Sequence, residues 1–198
     1  MFGYRKDGEK CRFKEPFMLG VDQAYWNSKL PPLWKKIKEA SDDRAFVILL
    51  ALVIEHLVDE TLETWMPRYK ALSEHQDFNF SIKLELLNAL SLVPGFIIRG
   101  SHCIRQLRND FAHDLNIEKL EQLAKKVEML RNLSDEVVVQ KDLVKGSSAR
   151  DLAKFLSFVV CVGLLGYREN MKYLRKAIEK DDYLNGLKSR LNEEIMTK

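Results

Sequence analysis

The stretch with the most chemical potential is Arg105-Gln106-Leu107-Arg108-Asn109-Asp110-Phe111-Ala112-His113-Asp114. It places polar and ionisable groups near the C-terminal end of an otherwise apolar helical pattern. Asn109 and His113 are four residues apart and share a helix face. Arg108 and His113 are five apart, about 140° around a helix of ~3.6 residues per turn, so they can border one cleft but cannot stack. Arginine offers a permanent planar fork suited to phosphate oxygens. Histidine moves protons near neutral pH, and a helix C-terminus favours the imidazolium form. Together they suit metal-free cleavage of an RNA phosphodiester by its own 2′-hydroxyl. His113 would be the general acid or base, and Arg108 would stabilise the phosphorane-like charge. The same residues also allow a structural reading, in which Arg108 pairs with Glu55 or Asp110 and His113 caps its helix.

Other signatures are missing. The sequence has no GxGxxG, no GxxxxGK, no HExxH and no GxSxG. His56, His75, His102 and His113 have no metal-ligand spacing, and His102 and Cys103, as sequence neighbours, point to different sides of a helix. Cys11, Cys103 and Cys161 are three in number and form no CxxC, so nothing calls for disulfides or a zinc ribbon. No metal and no cofactor is expected. A DNA-reading helix is also hard to place, because residues 117–132 mix Lys119, Lys125, Lys126 and Arg131 with Glu118, Glu121 and Glu128.

The elements that must position these residues read as helices. The chain has 198 residues, 46% hydrophobic and 31% charged, enough for one well-packed domain without a staple. Its net charge is +3. Residues 45–140 are acidic, with 10 basic and 14 acidic side chains, and the flanks are basic. That asymmetry can draw phosphate to a site between them, and solvated helix faces give the same counts.

Residues 1–31 read as an irregular arm, and Pro32 opens a short helix over 32–40. Ser41 reads as the N-cap of a long helix that Pro67 stops. Residues 68–78 read as a polar connection. The pattern then predicts helices over 81–92, from Phe96 to about His113, over 117–132, from Ser147 or Ser148 through Leu165, and from about Arg168 to Ile195 with a break near Asn185-Gly186. Residues 133–147 read as a loop, and Val137-Val138-Val139 as too short for a sheet. The expectation is an all-α bundle of five or six helices. It divides into an arm (1–40), a core (41–132) and a helical C-terminal extension packed on the core (133–198). The apolar runs 45–54 and 155–167 fall short of the ~18 to 20 residues that span a bilayer, so both read as buried helices, with no membrane partner and a cytoplasmic location. The apolar-all-round helix 45–62 and the aromatic-bearing helix 149–166 offer more hydrophobic surface than one small bundle hides. They predict a homodimer with its axis near Arg108 and His113.

Arg108 to His113, RNDFAH, resembles the R-x4-6-H motif of the HEPN superfamily of small helical domains. The order of Ser41-Asp42-Asp43-Arg44, the mid-helix acid Glu55, the segment FSIKLELLNALSLV (Phe80 to Val93) and then RNDFAH is most similar to the mannitol operon repressor-like branch. The resemblance covers residues 41–132. It implies a HEPN-like bundle whose Arg108 and His113 are catalytic in a metal-independent endoribonuclease, a toxin or phage-defence effector acting on RNA. Asn109 would orient substrate or His113, and Asp110 would support the site. Glu55 would hold Arg108, with Asp59 and Asp110 as substitutes. It also implies a composite cleft across a twofold interface and an antitoxin or regulatory protein as a further partner. The alternative the branch implies is a non-catalytic regulatory or protein-interaction module.

Overall fold

The computed structural model describes residues 32, 34–75, 77–137 and 146–180, with side chains up to residue 172. The protein is all-α. Residues 34–39 are helical, followed by α1 (Asp43–Trp65), α2 (Tyr69–Ser73), α3 (Phe80–Ala89), α4 (Gly95–His113), a 3-10 turn (Leu120–Gln122), α5 (Ala124–Val137) and α6 (Ala149–Lys180).

Local chemistry sets the helix starts. Asp42, not Ser41, is the N-cap of α1, its carboxylate accepting the Ala45 amide at 2.7 Å. Asn79 caps α3 by accepting from Ser81 and Ile82 at 3.0 and 3.3 Å, so this helix starts at Phe80. Its end comes earlier than Leu92. Ser91 sits in the left-handed region at φ 50°, while the Ser91 amide donates to Asn88 O and the Leu92 amide to Leu87 O. That is the Schellman closure, with serine at the position glycine usually takes. Ser148 opens α6, its hydroxyl accepting the Asp151 amide at 3.1 Å.

Four further expectations change. The connection 68–78 contains α2. The span 117–132 divides into the 3-10 turn and α5, and α5 runs on to Val137. No break occurs at Gly166. Leu164 and Leu165 are fully buried and Glu169 nearly so, and this packing outweighs the ~1 kcal/mol that one glycine costs a helix. The arm 1–31, Val138-Val139 and the break near Asn185-Gly186 lie outside the described residues.

The core lies where α1, α4 and α6 cross. Phe46, Leu50, Ile54 and Leu57 of α1 share one cluster with Ile97, Ile104 and Leu107 of α4 and Leu152, Leu156 and Val160 of α6. Ile37 joins it from the helical segment before α1, and Trp34 packs edge-on against Phe158 at 5.7 Å. Helices α4 and α6 pack tightly at Gly100, where an added Cβ would lie 2.7 Å from Val160 Cγ2. The methyl of Gly100→Ala has to displace a fully buried valine in a close-packed interior. It should lower unfolding stability by about 1–3 kcal/mol, read as a shift of the urea midpoint without a change of slope.

No described helix is long and apolar enough to cross a membrane. Leu52, Trp65, Ile82, Leu90 and Leu115 are the large apolar side chains left exposed among the described residues.

Candidate active site at the end of α4

The last two turns of α4 are held from outside the helix. A helix ends with unpaired carbonyls, and here Arg44 of α1 takes one of them, that of Phe111, together with carbonyls of the segment that follows. Its guanidinium donates to the carbonyls of Phe111, Asp114 (3.2 Å), Leu115 (3.3 Å) and Ile117 (2.9 Å), and it lies 5.8 Å from the Phe111 ring centroid. A fixed cation at a helix C-terminus also complements its dipole. The neighbouring Asp43 completes the tie. One oxygen accepts the Leu120 amide at 2.9 Å and the other pairs with Arg150 of α6 at 2.8 Å. The loop after α4 is pinned further by Gln122, whose side-chain oxygen accepts the amides of Glu118 and Lys119 at 2.8 Å each. Thus the Asp42-Asp43-Arg44 run both starts α1 and fixes where α4 stops.

This arrangement relieves His113 of the capping role. The imidazole is exposed, and among the described residues it makes no hydrogen bond or ion pair. It borders an open groove of about 600 Å³ between the end of α4 and the start of α5. Asn109, Asp110 and Asp114 line the same groove, with Lys125 and Lys126 on the opposite wall and Ile117 and Leu123 as its apolar part.

Arg108 does not line this groove, although its offset around the helix allowed both residues to border one cleft. Its Nη2 lies 3.7 Å from Glu55 Oε2, the acid expected from the sequence. Its Nη1 donates to Asn109 Oδ1 at 3.2 Å. Asn109 therefore touches Arg108 on one side and lines the His113 groove on the other. Within one chain, Asn109, Asp110 and His113 come together at the groove, while Arg108 and Glu55 meet on the adjoining face.

That second face carries residues to which the sequence reading gave no role. Lys83 of α3 lies 3.3 Å from Glu55 and 2.9 Å from Asp59, and Tyr69 of α2 donates its hydroxyl to Asp59. Burial, with the Asp59 hydrogen bond and the nearby carboxylates, pushes the Tyr69 hydroxyl far above its usual range. Burial pulls Lys83 toward its neutral form, but Asp59 and Glu55 outweigh this and hold its pKa above the ordinary value. Lys83 falls in the segment that carried the family resemblance, yet only the tertiary fold reveals its partners.

His102 and Cys103 do diverge around α4. Cys103 is buried and its thiol is pushed up to about 12 by burial, partly offset by Lys126. His102 sits half-buried, 3.3 Å from Glu85. Burial first, and Arg105 second, lower its pKa below 6.5 despite that carboxylate. The folded state therefore binds this proton less readily than the unfolded state, so stability is lost as pH falls through and below 6.5. His102→Gln should flatten the decline in melting temperature over that range.

Among the described residues, no group of three or more His, Cys, Asp and Glu side chains is placed to hold a metal ion. No protein-family model, curated protein or solved structure matches this chain.

Proposed function

We propose that this chain is a HEPN-type endoribonuclease, a toxin or defence effector that cleaves RNA without a metal. The observation that carries the reading is the freedom of His113. A histidine at a helix end usually serves the helix, but Arg44 already binds the end of this one, and the imidazole borders an open groove lined by an amide, two lysines and the carboxylates of Asp110 and Asp114. Such a group can exchange a proton with a bound RNA. In the reaction the 2′-oxygen bonds to phosphorus and the bond to the 5′-oxygen breaks. The 2′-hydroxyl proton leaves to a base, and the 5′-oxygen gains a proton.

Because Arg108 and His113 occupy adjoining faces, the complete site takes Arg108 from one protomer and His113 from a second copy of the chain. A homodimer follows from the reading, and an antitoxin-like protein is the natural means of restraining it. The test is incubation of purified protein with RNA in the presence of chelator. Fragments ending in a 2′,3′-cyclic phosphate are expected, and intact RNA overturns the reading.

The second reading is a mannitol-repressor-like regulatory module. It is favoured by the contact of Arg108 with Glu55 rather than with the groove. It expects intact RNA and a role for Arg108 only in stability or partner binding.

A further inference from the structure

We infer that Lys83 is a positioning residue for Arg108: by occupying one oxygen of Glu55, it leaves the guanidinium loosely tethered and able to turn to an RNA phosphate. This rests on the ribonuclease reading above.

Glu55 is shared between two cations. Oε1 faces Lys83 Nζ at 3.3 Å and Oε2 faces Arg108 Nη2 at 3.7 Å. An arginine with a carboxylate to itself closes on both oxygens in a fork at about 2.7–2.9 Å. Arg108 instead keeps one long contact with Glu55, its other nitrogen donating to Asn109 Oδ1 at 3.2 Å, and its side chain is 34% exposed. Lys83 prevents the fork, and it is well fixed. Its side chain is only 12% exposed, its ammonium bridges both oxygens of Asp59 at 2.9 and 3.0 Å, and Asp59 is held in turn by Tyr69. Asp59 and Glu55 keep Lys83 charged despite burial. Two carboxylates thus face two cations, but the buried cation has two acids and the exposed one has a share of one. The freedom of Arg108 is set two contacts away, at Asp59.

The test follows the Arg108 guanidinium by NMR in the full chain, alongside RNA cleavage in chelator. In wild type the guanidinium should rotate fast, and Glu55→Gln should leave that rate nearly unchanged. Slow rotation in wild type overturns the proposal without any variant at Lys83. In Lys83→Met, Arg108 should close on Glu55, rotation should slow, and kcat/KM for RNA should fall about tenfold. Adding Glu55→Gln to Lys83→Met should recover most of that loss, which a merely structural lysine does not predict. Lys83→Arg should stay within about threefold of wild type, since the charge persists. An unchanged Arg108 signal in Lys83→Met, or a loss of cleavage that Glu55→Gln does not repair, overturns the role of Lys83. If wild type cleaves no RNA, the ribonuclease reading falls, and the guanidinium signal alone decides whether Lys83 governs Arg108.

Discussion

His113→Ala should remove at least about 99% of RNA cleavage while leaving the fold intact, because a positioned acid or base contributes roughly 10²–10⁴-fold. The separation of the two effects comes from the surroundings of the imidazole. It is exposed and bonded to none of the described residues, and the Phe111 carbonyl at the helix end is already held by Arg44. The melting midpoint should therefore stay within the range of an ordinary surface substitution, about 0.5 kcal/mol. Expression gives the rapid form of the measurement. Wild type should slow growth and His113→Ala should not. Equal slowing by both, or by neither, favours the regulatory reading.

Arg44→Met should have the opposite profile. It keeps most of the aliphatic stem but removes the guanidinium that donates to four carbonyls at and beyond the end of α4. Hydrogen bonds from a charged donor are worth about 1.5–3 kcal/mol each when well buried, and this group is partly exposed, so a loss of about 2–4 kcal/mol is expected. The loss should be largest at the site. Hydrogen exchange should quicken over residues 110–117 before it does in the middle of α1. Cleavage should fall with it, because His113 then rides on a frayed turn. Unchanged exchange at residues 110–117 would remove Arg44 from the role assigned to it.

The sequence was most legible where signals are local. Pro67 marks the end of α1 to within a residue, and the C-terminal limit of α4 at His113 follows from Asp114 and Asn116. The i,i+4 relation that places Asn109 and His113 on one groove is helix geometry alone, whereas the same geometry allowed Arg108 to border that cleft and only its contact with Glu55 of α1 shows where it goes. The choice between Ser41 and Asp42 as N-cap was not decidable by type, since both are good caps and adjacent. Gly166 misled because a glycine's local cost says nothing of the buried neighbours that outweigh it. Lys125 and Lys126 read as charges on an amphipathic helix. Their place on the groove wall depends on how α5 meets α4. Arg44, Lys83 and Arg150 were invisible as a set, since their partners lie 24 to 110 positions away in the chain.

Those separations also bear on how the molecule assembles in time. Arg150 bonds Asp43 and the Ala40 carbonyl, so the start of α1 is closed by a side chain 107 to 110 positions downstream. Bringing such distant segments together costs about 4 kcal/mol of chain entropy by the (3/2)RT ln n relation, and it is repaid only when α6 docks. On a translating ribosome, RNDFAH leaves the exit tunnel well before α6 does. During that interval α1 lacks its main partner, and the Arg44 clasp on α4 has no rigid base. The packing beneath the groove is thus completed late in synthesis, after the motif itself has left the ribosome.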